Sequence, residues 1–234
     1  MPINTENINN IIIDTMEKPV DFEQFSAFIQ KSPFIRRIAF VGHRIFDMPR
    51  FCDMVKLCAQ NNIRLIFMEM GAASDDKLRA LVEYKNVVFI NTYKKDKYIK
   101  TIEKFKQEFN SSQPDIHVIK KENILPQNYL SETSYSFYNM ADTIEQIPCK
   151  NFILEPMIDG DGNLIGCWQN PDKKTPLNIF DLGIEKTFRH KYCTNIIKML
   201  KSGKINTKCP CTRCPVFASL IWTNQTTDIT KTNK

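Results

Sequence analysis

The chain reads as an α/β protein: a partial (β/α) barrel of parallel βα units followed by a small cysteine-rich hairpin-plus-helix module. Two observations carry this. In the first half, short apolar runs at Ile35–Val41, Ile63–Met68 and Val87–Ile90 are each followed by apolar residues at helical spacing. Strands roughly 25 residues apart with helices between them make parallel units with right-handed crossovers. In the second half, six of the eight cysteines lie at or beyond position 149.

The elements follow in order. Residues 1–20 are polar, rich in Asn, Thr and Glu, and are expected to form a flexible N-terminus. From Asp21, Phe22, Phe25, Phe28 and Ile29 recur at helical spacing as far as Lys31. After the strand Ile35–Val41, Asp47 can cap a helix whose core face is Phe51, Met54, Val55 and Cys58, with Pro49 in its first turn. Ser74 likewise precedes a helix that turns Leu78, Leu81 and Val82 inward, after the strand Ile63–Met68. The strand at Val87–Ile90 leads to a helix with Tyr98, Ile102, Phe105 and Phe109 on one face, and Asp115–Ile119 adds a fourth strand. This βα region is expected to span 21–120, half of a barrel and not a closed eight-fold one.

Residues 121–148 show no period and read as a linker. Residues 149–216 read as the cysteine module and 217–234 as a tail. Within the module, Asn151 to Ile158, Asp-Gly-Asp-Gly, and Asn163 to Trp168 read as a hairpin. A helix from Gly183 to Ser202 then carries Ile184, Phe188, Ile196 and Leu200, with Gly203 placed to end it in a left-handed cap.

Composition narrows the function classes. At 234 residues the chain can bury one good core with an appendage, or two modest domains. Apolar residues at 42% and charged ones at 25% are ordinary for a globular protein. The net charge of +6 is mild, and the lysines from Lys94 to Lys106 are interrupted by acidic residues, as on a solvated helix face. Nucleic acid is therefore not an expected partner. No run approaches the ~20 apolar residues that span a bilayer, so no membrane partner is expected either. Ile11-Ile-Ile13 lacks the basic start of an export signal. Eight cysteines without such a signal point to reduced thiols and metal ligation in the cytoplasm.

The cysteines form a definite constellation. Cys211-Thr-Arg-Cys214 is a CxxC turn that puts two sulfurs on one side. Cys149 precedes the hairpin's first strand and Cys167 ends its second, so antiparallel pairing brings them to the hairpin's open end. Two thiolate pairs make a complete four-cysteine site, which suits either zinc or an iron–sulfur cluster. Cys209 competes with Cys211 for a place, because Pro210 stiffens the turn between them. Cys193 sits mid-helix as a packed thiol, and Cys52 and Cys58 lie beside core positions. Trp168 shields the site from water. His43, Arg44 and Glu69 stand just past strand ends, where α/β folds hold ligands, and each reads equally as ordinary loop. His117 and His190 carry no signal.

At these residues the chain resembles radical S-adenosylmethionine enzymes with a C-terminal SPASM/twitch extension. In that family a Cys, a hairpin with Gly-x4-Cys, a helix and a final CxxC hold an auxiliary 4Fe–4S cluster. Cys149, Gly162, Cys167, Cys211 and Cys214 are the matching positions here. The resemblance implies the one-cluster twitch form and extends upstream over Asp21 to Asn110 as the family's early βα units. It favours iron–sulfur over zinc.

Two departures shape the expected function. Family members begin with a strand and a CxxxCxxC loop for the catalytic cluster, whereas the first cysteine here is Cys52. Where the family has Gly-Gly-Glu-Pro after the second strand, this chain has Val41-Gly-His-Arg44. Basic residues in place of that carboxylate make S-adenosylmethionine a doubtful cofactor through this motif. Three readings remain open: a non-catalytic relative that binds a cluster and a peptide or protein partner, an incomplete enzyme that needs an N-terminal segment or a second chain, and a zinc-stabilised four-cysteine interaction module.

Overall fold

In the structure, a computed structural model, residues 8–68, 73–92, 97–118, 151–167, 170–171, 175, 177–202 and 211 are described. The first strand lies where a flexible N-terminus was expected. Ile11, Ile12 and Ile13 form the centre of β1 (Asn10–Asp14), each 4% exposed or less. Three consecutive β-branched residues favour a strand, and an unbroken apolar run suits one covered on both faces. β1 pairs in parallel with β2 (Arg37–Val41) on one side and with β6 (Pro156–Asp159) on the other.

Beyond β2 the sheet continues in parallel through β3 (Arg64–Phe67), β4 (Val87–Thr92) and β5 (Asp115–Val118). On the β6 side it turns antiparallel through β7 (Leu164–Cys167) and the two-residue β8 (Asn170–Pro171). The order is β5-β4-β3-β2-β1-β6-β7-β8. The cysteine hairpin is therefore built into the barrel sheet through β1.

The helices of the first half follow the predicted faces. α1 (Phe22–Lys31) starts at Asp21, whose carboxylate accepts the Gln24 N–H at 2.9 Å, and it buries Phe25, Phe28 and Ile29. α2 (Phe51–Gln60) buries Phe51, Met54, Val55 and Cys58, but Asp47 is not its cap. Asp47 ends a 3-10 turn (Arg44–Asp47), and Met48 is extended. A residue preceding proline is disfavoured from helical geometry, so Pro49 delays the helix. Arg50 takes the cap position, bonds Asp53 at 2.8 Å and lies over the Phe22 ring at 4.0 Å. α3 (Asp75–Glu83) does begin after Ser74, although the serine side chain makes no capping bond. Asp75 and Asp76 in its first turn suit the positive end of the helix dipole. α4 (Lys97–Glu108) packs Ile102 and Phe105 into the core.

The second half departs more. Asn151–Leu154, expected as strand, is a short helix, α5, and the hairpin's first strand starts only at Pro156. The single helix expected from Gly183 is two: α6 (Ile179–Arg189) and α7 (Lys191–Ser202). Gly183, at φ 73° and ψ 163°, kinks α6, and extended His190 separates the pair. The linker at 121–148, the Gly203 cap, Glu69, Trp168 and the tail lie outside the described residues.

Alternation along the strands sorts side chains between two layers. Ile11, Ile13, Ile38, Phe40, Leu65 and Phe67 belong to the large core shared with the helices. Ile12, Val41, Met157 and Ile165, with Ala39 and Met68 against them, form a smaller apolar layer on the other face. Within the large core, Phe67 packs against Phe40 at 5.4 Å, Phe46 at 5.4 Å and Phe51 at 5.9 Å. Phe180 of α6 closes on Phe28 at 5.3 Å and on Phe25 at 6.4 Å, tying the C-terminal helices to α1.

Candidate metal centre

The hairpin that carries Cys167 is held by polar bonds at its tip. Asp159 Oδ1 accepts the N–H groups of Asp161 (3.0 Å) and Asn163 (2.9 Å), and Oδ2 accepts Asn163 Nδ2 (3.0 Å). Asn178, at the start of α6, donates from Nδ2 to the Asp161 carbonyl (2.8 Å) and to Asn163 Oδ1 (3.1 Å). The Asp-Gly-Asp-Gly turn thus spends Asp159 on its own backbone. Gly162 sits at φ +85°, and a Cβ there would lie 2.4 Å from Phe180 Cγ. The glycine of the Gly-x4-Cys spacing is required by both backbone and packing.

From that tip β7 runs four residues to Cys167. A register shift opposite Met157 and Ile158, with Gly166 at φ +103°, makes a bulge, after which Cys167 stands across from Pro156. Cys167 is buried, at the open end of the hairpin as its spacing implied. Cys211 is half-buried and packs against the large core. Cys149, Cys214 and the competing Cys209 lie outside the described residues, so the geometry covers only two of the four predicted ligands. Among the described residues no three His, Cys, Asp or Glu side chains gather as a metal site. Cys167 and Cys211 are soft sulfur donors of the kind that hold zinc or an iron–sulfur cluster.

The remaining cysteines behave as packing groups. Burial pushes the Cys193 thiol up to about 12 and the Cys58 thiol well above the ordinary range. Cys52 is also raised, first by desolvation and then by the Asp76 charge. A thiol held protonated is a poor nucleophile and a poor metal ligand.

The C-terminal ends of β1 and β2 form the other place where a ligand would be sought. The connector between β1 and α1, residues 15–21, is fastened down from both sides. On one side buried Thr15 donates through Oγ1 to the carbonyls of Val41 (3.0 Å) and Gly42 (2.9 Å), and its N–H reaches Val41 O at 2.7 Å. Gly42 lies so close that a Cβ would fall 2.7 Å from the Met16 nitrogen. On the other side Lys18 pairs with Asp161 of the hairpin tip, and a Cβ on Gly160 would lie 2.7 Å from the Lys18 carbonyl. His43 and Arg44 are exposed beside it, Arg44 facing Asp47 at 3.8 Å.

One titratable group escaped the sequence reading. Glu155, between α5 and β6, is 9% exposed, and its Oε1 has no hydrogen-bond partner among the described residues. Desolvation raises its carboxyl to about 7, with nearby Arg37 pulling the other way. Arg37 itself pairs in register with Asn10 of β1 and Arg64 of β3, so a polar row crosses the sheet at the strands' N-terminal end. The available signal was a lone carboxylate inside the apolar run Phe152-Ile-Leu-Glu-Pro-Met157.

No family model and no curated protein matches the chain. Among solved structures it is similar to Streptococcus suis SuiB bound to S-adenosylmethionine, at 11% identity and TM-score 0.50, covering 91% of this chain and 70% of that one. A second structure of Streptococcus suis SuiB aligns at 10% identity and TM-score 0.49, covering 90% of this chain and 72% of that one. The first of these likenesses lends no support to the expectation, drawn from Val41-Gly-His-Arg44, that S-adenosylmethionine is a doubtful cofactor. What the first similarity shows is the architecture alone: the chain shares its mixed α/β fold with that protein.

Proposed function

We propose that this chain is a cluster-binding relative of the radical S-adenosylmethionine enzymes, with one auxiliary 4Fe–4S cluster on Cys149, Cys167, Cys211 and Cys214 and no autonomous radical chemistry. The observation that carries the second half is the β1–α1 connector. In the family the chain resembles, the opening strand is followed by the CxxxCxxC loop. Here β1 is followed by Thr15-Met-Glu-Lys-Pro-Val-Asp21, which contains no cysteine and is bonded to β2 and to the hairpin tip. That disfavours the reading in which a separate segment supplies the opening strand, since β1 already fills its place between β2 and β6.

The auxiliary cluster is supported by Cys167 at the open end of the hairpin and by Gly162 packed against Phe180, which gives the Gly-x4-Cys spacing a structural cause. When bound, such a cluster can relay single electrons or brace the fold. A peptide or protein partner is part of the proposal. The zinc-stabilised module is the second reading, because four thiolates suit that ion equally.

The test is product analysis. The chain, reconstituted anaerobically with iron and sulfide and given S-adenosylmethionine and a strong reductant, is expected to release no 5′-deoxyadenosine above a protein-free control. Sustained release would overturn the proposal and point to a catalytic cluster held by other residues. Calorimetry with the cofactor, run alongside, separates binding from cleavage.

A further inference from the structure

We propose that Glu155 is a proton-operated catch on the join between β1 and β6, closed while its carboxyl is neutral and opened at the start of β6 when the carboxyl ionises; this does not depend on the cluster reading. The join is short. β1 meets β6 at three pairs, Ile12 with Met157, Ile13 with Ile158 and Asp14 with Asp159, whereas on its other side it pairs with β2 along all five residues. Ahead of Met157 comes Pro156, which has no N–H to offer a ladder. Glu155 stands at this end, between α5 and β6, 9% exposed and with Oε1 unpartnered.

Glu155 lies two residues ahead of Met157, and Arg37 two ahead of Ala39. Met157 and Ala39 share the smaller apolar layer, so both charged side chains stand on that face, with Asn10 in register beside Arg37. Arg37 is the charge that acts on the carboxyl, and Arg64 acts on Arg37 in turn. The other titratable groups nearby stand elsewhere. Asp14 and Asp159 are paired at the far end of the join, and Cys167, opposite Pro156, belongs to the other face. α6 packs on α5 through Phe188 against Phe152 and leaves Glu185, Lys186 and Arg189 exposed. A neutral carboxyl can stay in this place at small cost, but an ionised one lacking its hydrogen bonds needs water. Burial accordingly holds the carboxyl up at about 7, against the pull of Arg37. The four-residue α5 and the proline after Glu155 hold few ladder bonds, so fraying here is the short route by which water arrives. The closed form keeps its proton at pH 6 and gives it up by pH 8, and over that interval the opening equilibrium grows about tenfold.

Hydrogen exchange of the full chain at pH 6 and pH 8, corrected for the intrinsic rate and repeated over low denaturant concentrations, tests this. Amides at 152–158 are expected to lose protection about tenfold from pH 6 to pH 8. They should exchange with little dependence on denaturant, as in a local opening, while β3 exchanges only through global unfolding. Glu155→Gln should remove the pH step and keep the pH 6 pattern at pH 8. The catch would be overturned by equal protection of 152–158 at both pH values, by a step that survives in Glu155→Gln, or by exchange of 152–158 merging with that of β3 in one denaturant-dependent curve. Should Glu155→Gln not fold, the carboxyl carbon resonance of Glu155 in the unmodified chain decides. Titration near 7 supports the catch, and titration in the ordinary range, below about 5, overturns it.

Discussion

The two halves of this sheet are fixed by different forces. From β2 to β4 the geometry is set by apolar packing: Phe40, Phe46, Phe51 and Phe67 pack on one another, and Met54, Val55 and Cys58 of α2 and Leu78, Leu81 and Val82 of α3 are buried in the same core. Around the hairpin it is set by directed polar bonds and by close contact, through Asp159, Asn163 and Asn178 and through Gly162 against Phe180. Packing of the first kind supports itself. The second kind leans on β1 and α6, and it is where Cys167, one of the proposed ligands, lies. A metal there would add cohesion at the antiparallel edge of the sheet.

Substitutions can break or sharpen this contrast. The largest effect is expected from Phe67→Ala, which removes the ring shared by Phe40, Phe46 and Phe51. It should cost about 3–5 kcal/mol and lower the whole denaturation curve, hairpin included. Loss confined to the first half would mean that the two halves fold independently.

Next comes Glu155. Its carboxyl is raised in the folded chain, so between about 4.5 and about 7 the native state binds more protons than the unfolded one. The sign follows: stability is highest at or below pH 4.5 with respect to this group, and falls as pH rises through about 7. The full difference is roughly 3 kcal/mol. Glu155→Gln should flatten that slope and raise stability at pH 8. An unchanged slope, measured by denaturant midpoints across pH, would show that Arg37 holds the carboxylate ionised.

A smaller and more local effect is expected from Gly162→Ala, which forces a methyl onto the Phe180 ring at φ +85°. About 2 kcal/mol should be lost, with amide protection falling at 156–167 and holding in β3 and α2. Uniform loss would contradict the division drawn above.

This division also explains what was legible. The apolar period of α1, α2 and α3 comes from burial against one core, so the inward faces could be read residue by residue. β1 was missed although Ile11-Ile-Ile13 is the unbroken β-branched run of a strand buried on both faces, because three residues between Asn10 and Asp14 are too short a run to stand out. Its strand character comes from neighbours β2 and β6, the latter more than 140 residues away in sequence. The start of α2 was misplaced because Pro49 acts on Met48, one residue back. Gly183 was read as a helix start, and its non-helical backbone does divide α6, so that a fresh helical stretch follows it; the turn of helix before it, from Ile179, was not read. Of the candidate site, Cys167 and Gly162 were legible because a fixed spacing reflects a fixed turn. Glu155 was hidden by its apolar surroundings, and these are what shift it.

The central claim is that four thiolates hold an iron–sulfur cluster, and metal content tests it most directly. Protein purified anaerobically should be brown, absorb broadly near ~400 nm, and carry about four iron and four sulfide per chain. Cys167→Ala should abolish that loading, while Cys52→Ala leaves it unchanged. Colourless protein with one zinc and no sulfide, or equal iron in Cys167→Ala and the unmodified chain, would contradict the account.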